Sequence, residues 1–181
     1  VAERMRGVVV ALAGAGLLLA ACGQPASQPA APPPPTSAPS SSSIPPSPPG
    51  LAGLKPCELL TATDRSTAGL TSLGTEKTIG ADRACDWTEP GTFGVTVTLA
   101  ENAPLNSLEI DKGTGKRVTV GAHKGFRVSD RRAGDGTCAV LLGVGQEASV
   151  QVDVTNTGFE DTPLACERAD TVARLIEPKL P

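Results

Sequence analysis

The sequence predicts an α+β domain, with an antiparallel, meander-like sheet packed by short N-terminal helices and a C-terminal helix and stapled by two disulfides. Three observations carry that expectation. Period-two alternation recurs in several short runs, an apolar stripe at three- and four-residue steps closes the chain, and four of the five cysteines fall within the same stretch.

The elements follow in chain order. Residues 1–21 read as a targeting segment, with Arg4 and Arg6 ahead of an apolar stretch from Val8 to Ala21. That stretch is shorter than the roughly 20 residues a membrane-spanning helix needs, and it fits the core of an export signal. Leu19-Ala20-Ala21-Cys22 resembles the lipobox of bacterial lipoproteins, in which the cysteine carries diacylglycerol. An ordinary signal peptide with an incidental cysteine is the alternative. Two or more acyl chains hold a protein stably on a bilayer, so Cys22 is read as an anchor.

Residues 22–54 are expected to be a linker. No charged residue occurs from Gly7 to Leu54, and eleven of the 17 prolines lie between Gly23 and Gly50 among Ser and Ala. Such a composition buries little apolar surface and favours extended polyproline conformations. Its expected role is a stalk that lifts the folded part off the membrane.

Residues 55–181 have the length of one domain. Pro56 to Leu60 reads as a helical turn, and Thr61-Ala62-Thr63-Asp64 as a capping box opening a helix that ends at Gly69. Phe93, Val95, Val97 and Leu99 then share one strand face while Thr96 and Thr98 take the other. Val118 with Val120, and Phe126 with Val128, make shorter strand-like pairs around Gly121 and Gly125. The clearest hairpin runs from Cys138 to Leu142, turns near Gly143 to Gln146, and returns through Val150, Val152 and Val154. In the last element Pro163 stands at the entrance, Ala165, Ala169, Val172, Ala173 and Ile176 form the stripe, and Pro178 ends it.

The cysteine count ties these parts together. An odd cysteine in an exported protein calls for a separate role; setting Cys22 aside leaves Cys57, Cys85, Cys138 and Cys166 for bridges in an oxidising compartment. Of three pairings, Cys57–Cys85 with Cys138–Cys166 is favoured, because it closes two uncrossed loops of similar length. No Cys-x-x-Cys spacing exists and there is a single His, so no metal site is expected. No cofactor is expected either.

Candidate chemistry is sparse. Gly113-Thr114-Gly115-Lys116-Arg117 lacks both the earlier glycine and the Ser or Thr of a phosphate-binding loop, and reads as a flexible turn. His123 has no nucleophile or second ligand near it in sequence. Trp87, two residues after Cys85, is expected to pack on a disulfide and the sheet. Lys112, Lys116, Arg117, Lys124, Arg127, Arg131 and Arg132 would form a cationic patch if adjacent hairpins gather them. The alternative is solvated loop charge paired with Asp111, Asp130 and Asp135. Net charge is −3 and the chain has three Phe, one Trp and no Tyr, which argues against a nucleic-acid partner.

Pro56-Cys57-x-Leu59-Leu60-Thr61, Cys85-x-Trp87 before a strand, a mid-chain cysteine opening a hairpin, and Cys166 near Leu180-Pro181 together resemble the actinobacterial lipoproteins grouped as a domain of unknown function. The likeness runs from the lipobox to the C-terminus. It implies a lipid anchor at Cys22, a framework of Cys57, Cys85, Cys138, Cys166 and Trp87, and no catalytic motif. The order of elements is also similar to other mycobacterial envelope lipoproteins and to the extracellular sensor domain of a mycobacterial Ser/Thr kinase, a likeness of fold alone.

The expectation is therefore a non-enzymatic protein, lipid-anchored on the outer face of the cell membrane and facing the wall, whose domain binds a ligand or partner. A cell-wall polymer or an envelope protein is the partner class. An extracytoplasmic hydrolase with a dispersed site is the rival reading, and a structural role within an envelope complex is a third.

Overall fold

Valine alternating with threonine or another polar residue builds the centre of this protein. The computed structural model describes residues 50–108, 110, 114–130 and 132–181. The expectations for the targeting segment, Cys22 and residues 23–49 of the linker, and for Lys112 and Arg131, lie outside the described residues.

Among the described residues, seven strands form one sheet: β1 (Thr75–Ile79), β2 (Asp82–Glu89), β3 (Phe93–Ala100), β4 (Gly115–Val120), β5 (His123–Val128), β6 (Thr137–Val144) and β7 (Ala148–Asn156). Their order is β1-β2-β3-β7-β6-β5-β4, with every pairing antiparallel. Two meanders, β1 to β3 and β4 to β7, therefore meet along the β3–β7 seam. The crossover after β3 carries the chain from the middle of the sheet to its far edge.

Register decides which side is buried. Val95 faces Val154, Val97 faces Val152 and Leu99 faces Val150 across the seam, and Val152 and Val150 face Val140 and Leu142 on β6. All of these are nearly inaccessible to water. Burying one such side chain contributes about 1.5–3 kcal/mol, so this row is the main source of stability.

Helix α2 (Thr162–Ile176) covers that row, with Ala165, Ala169, Val172, Ala173 and Ile176 buried against it. Asp161 caps its first turn, accepting from the Leu164 amide at 3.1 Å. Pro178 ends the α-helix as expected, and the chain continues through one 3-10 turn, Glu177–Lys179. At the other end of the seam Arg168 stacks over Phe93, 4.0 Å from the ring centroid.

The N-terminal elements close the core beside Trp87. A 3-10 turn at Pro56–Leu59 leads to α1 (Ala62–Thr67), whose capping box is complete: the Asp64 amide donates to Thr61 Oγ1 and the Thr61 amide to Asp64 Oδ2. Disulfides join Cys57 to Cys85 and Cys138 to Cys166, as favoured on loop length. The first pins this turn to β2, and the second pins α2 to β6. Trp87 is fully buried on the same face as Cys85.

The packed region starts earlier than composition indicates. Leu51, placed in the linker by its lack of neighbouring charge, is 2% exposed and belongs to the core. Arg83 fixes it there: its guanidinium donates to the Leu51 carbonyl at 2.9 Å and also to the Leu54 carbonyl. The supposed flexible turn before Val118 also differs, because Gly115, Lys116 and Arg117 are the opening residues of β4. Backbone pairing with Val128, Arg127 and Phe126 extends them into the ladder.

Candidate functional site

Among the described residues, the sheet has one face covered by α2 and one that carries no α-helix, only the 3-10 turn Leu105–Ser107. On the second face, between β4, β5 and β6, lies a groove. Alternation puts His123, Gly125 and Arg127 of β5 on the helix side and Lys124, Phe126 and Val128 on the other. Phe126 faces Leu141 on β6 and Arg117 on β4, so the largest apolar side chain of β5 points away from α2.

The crossover after β3 lies against this face. The Ser149 hydroxyl donates to the Ala103 carbonyl at 2.6 Å and holds the start of the crossover at the sheet. Next, Leu105 sits so close to Gly143 that a Cβ there would stand 3.4 Å from it. Two cavities flank Leu105. One, of about 580 Å3, is bounded by Pro104, Leu105, Asn106, Lys124, Phe126 and Gln146, with the Ala122–His123 turn at its rim. The other, of about 350 Å3, is bounded by Leu105, Leu108, Ile110, Arg117 and Phe126. Both sizes fall in the range of small-molecule sites.

The expected basic residues separate into distinct groups here. Arg127 reaches under α2 and pairs with Asp170 at 2.7 Å, so it belongs to the covered face. Register sets its side, opposite Val140 on β6, and Gly125 on the same face lacks a side chain where a Cβ would meet the Leu141 carbonyl at 2.0 Å. Arg132 lies in the loop after β5, where Asp130 accepts from the amides of Arg132 and Ala133; these bonds hold the Asp130 carboxyl below its usual range. Asp135 is likewise engaged by Thr137.

Lys116, Arg117 and Lys124 are exposed, and among the described residues their charged groups have no hydrogen-bond or ion-pair partner. The contrast is with Lys55, Lys77, Arg83, Arg127, Arg168 and Lys179, all engaged. Arg117 and Lys124 stand on the groove side and Lys116 on the opposite side of the ribbon.

His123 is held in place rather than left open. Its Nδ1 is 2.9 Å from Glu177 Oε1 and its Nε2 is 3.2 Å from the Pro181 carbonyl. The Ala122 amide donates to the same Glu177 oxygen at 2.7 Å. Bonds from His123 and Ala122 hold the Glu177 carboxyl below its usual range.

Two carboxylates share another row of the helix-free face, with Thr96 between them: Asp86 on β2 and Asp153 on β7. Asp86 accepts from Thr96 at 2.6 Å and Lys77 at 2.9 Å. Burial pushes the Asp153 carboxyl up, while the Gln151 amide donating to it opposes the shift. Neither borders the two cavities.

Sequence reasoning missed the groove because it placed no element between Ala100 and Val118. The spacing of Leu105, Leu108 and Ile110, apolar but not strand-like, was the available signal.

The fold and its bridges define a class: a disulfide-stapled α+β domain on an open antiparallel sheet, with a helix packed on one face and the β3–β4 crossover on the other. Over residues 17–179 the chain matches a family described as a protein of unknown function, DUF3558, and it belongs to that family. No curated protein and no solved structure matches it.

Proposed function

We propose that this chain is an extracytoplasmic lipoprotein of actinobacterial type, anchored on the outer face of the cell membrane through Cys22. Its domain binds a ligand or an envelope partner rather than catalysing a reaction. The observation that carries the reading is the use of the cysteines. Four are consumed in two bridges of the kind oxidising compartments favour, and Cys22, after the apolar segment, is left over. Engagement of both His123 ring nitrogens supports binding over catalysis, since a general base needs a free nitrogen facing a nucleophile. The groove and its unpaired cations supply a surface for a ligand.

The test is direct. Expressed in an actinobacterial host, the full chain should fractionate with membranes, and its N-terminal peptide should carry a diacylglyceryl mass on Cys22. The Cys22→Ala variant should be released. A soluble product with residue 22 unmodified overturns the anchor, and turnover of a wall-derived ester or glycoside overturns the binding assignment.

A further inference from the structure

Leu105 and Phe126 form a wall common to both cavities on the helix-free face. Pro104 adds apolar surface on one side and Leu108 and Ile110 on the other, with Asn106 bordering both cavities and Gln146 the larger. A cation closes each part, Lys124 in the larger and Arg117 in the smaller. Arg117 lies directly opposite Phe126 across the ribbon and Lys124 two residues before it, so the cations flank the ring at about 5 and 7 Å in the backbone.

From this placement we infer that the groove binds an anionic amphiphile: a single apolar chain ending in a phosphate or carboxylate. The apolar floor accommodates the chain, and one of the two cations receives the head group by a charge-assisted hydrogen bond. Charge complementarity selects the sign. In an acidic chain, with a net charge of −3, the described cations whose charged groups have no hydrogen-bond or ion-pair partner are Lys116, Arg117 and Lys124 on the β4–β5 ribbon and Arg132 in the loop after β5, and of these Arg117 and Lys124 border the groove. An anionic polymer would use those charges but leave the Leu105–Phe126 floor without a role.

This deepens the reading of the domain as a binding module and is independent of the anchor. The probe is monomeric dodecyl phosphate, titrated calorimetrically into the full chain carrying Cys22→Ala, so that its own acyl chains do not compete. Dodecanol and inorganic phosphate are the comparison probes. Dodecyl phosphate should bind at least tenfold more tightly than either, and amide shifts should centre on residues 104–108, 117, 124–126 and 143–146. The R117Q/K124Q double variant should lose roughly tenfold or more in affinity for dodecyl phosphate and none for dodecanol. Lys116→Gln, the same charge change on the other side of the ribbon, should leave binding unchanged. Equal affinity for inorganic phosphate, equal affinity for dodecanol, shifts mapping elsewhere, or no binding at all would each overturn the inference. Such a failure leaves the membrane-fractionation result for Cys22 unaffected.

Discussion

His123 Nδ1 lies 2.9 Å from Glu177 Oε1, joining the first residue of β5 to the residue that ends α2. Both side chains are only 12% exposed. Because the bond holds the Glu177 carboxyl below its usual range, its stabilisation is complete above the ordinary Glu value of 4.5 and is lost as the pH falls below it. Glu177→Gln should therefore lower Tm at pH 7, with the gap to the parent closing on acidification from pH 5 to pH 3. Thermal melts across that range check this; a gap independent of pH refutes it.

Gly121 serves the same contact. Its φ is +53°, and a Cβ on it would stand 2.1 Å from Glu177 Oε2. Gly121→Ala should cost about 1–3 kcal/mol through backbone strain and displacement of the carboxylate. Urea unfolding measures it, and the cost of Gly121→Ala should be smaller on a Glu177→Ala background, where no carboxylate stands in the way of the new Cβ.

Asp64 and Lys179 tie α1 to the C-terminus at 2.6 Å. The Lys179 ammonium, with Thr61, lowers the Asp64 carboxyl to about 2. Its stabilisation is present above about pH 4 and disappears as the pH approaches 2. Partial water contact limits the pair to on the order of 1 kcal/mol. Lys179→Met should reduce neutral-pH stability by that order and raise the Asp64 value, which carboxyl NMR titration reads.

Each disulfide spans a sequence separation of 28. Replacing Cys138 and Cys166 together by Ser should cost about 3.5 kcal/mol on the chain-entropy estimate. The loss should be centred on α2, seen as faster amide exchange at Ala169 and Val172 than at Val95 or Val97.

Gly74 packs against both Trp87 and the first bridge: a Cβ there would sit 2.4 Å from Cys85 Sγ and 2.7 Å from Trp87 Nε1. Gly74→Ala should cost about 1–3 kcal/mol by overpacking. Trp87 is the chain's single tryptophan, so its near-UV signal reports the change without interference.

Local patterns foretold much of this architecture. Val95, Val97 and Leu99 declared their buried face by alternation, Ala165 to Ile176 their helical stripe, and Thr61 with Asp64 their cap. The β3–β7 seam was not legible, because it joins strands separated by the whole second meander, and no local pattern specifies such a pairing. β1 escaped notice because every one of its residues is exposed at the sheet edge, leaving no alternation to read. Within the site, Lys116, Arg117 and Lys124 were read as basic, but the side of the ribbon each occupies depends on register. Arg127 shows the same point, since the pairing of Gly125 with Leu142 turns it toward Asp170.

Gly50, Leu54 and Pro181 border one depression of about 330 Å3, so the described chain begins and finishes at the same place. Topologically the domain is close to a ring. A few residues bridging Pro181 to Leu51, with new termini opened in the exposed turn at Gly145–Glu147, would keep every strand beside its present neighbours. The order in which the strands are synthesised can thus be rewritten without redrawing the sheet.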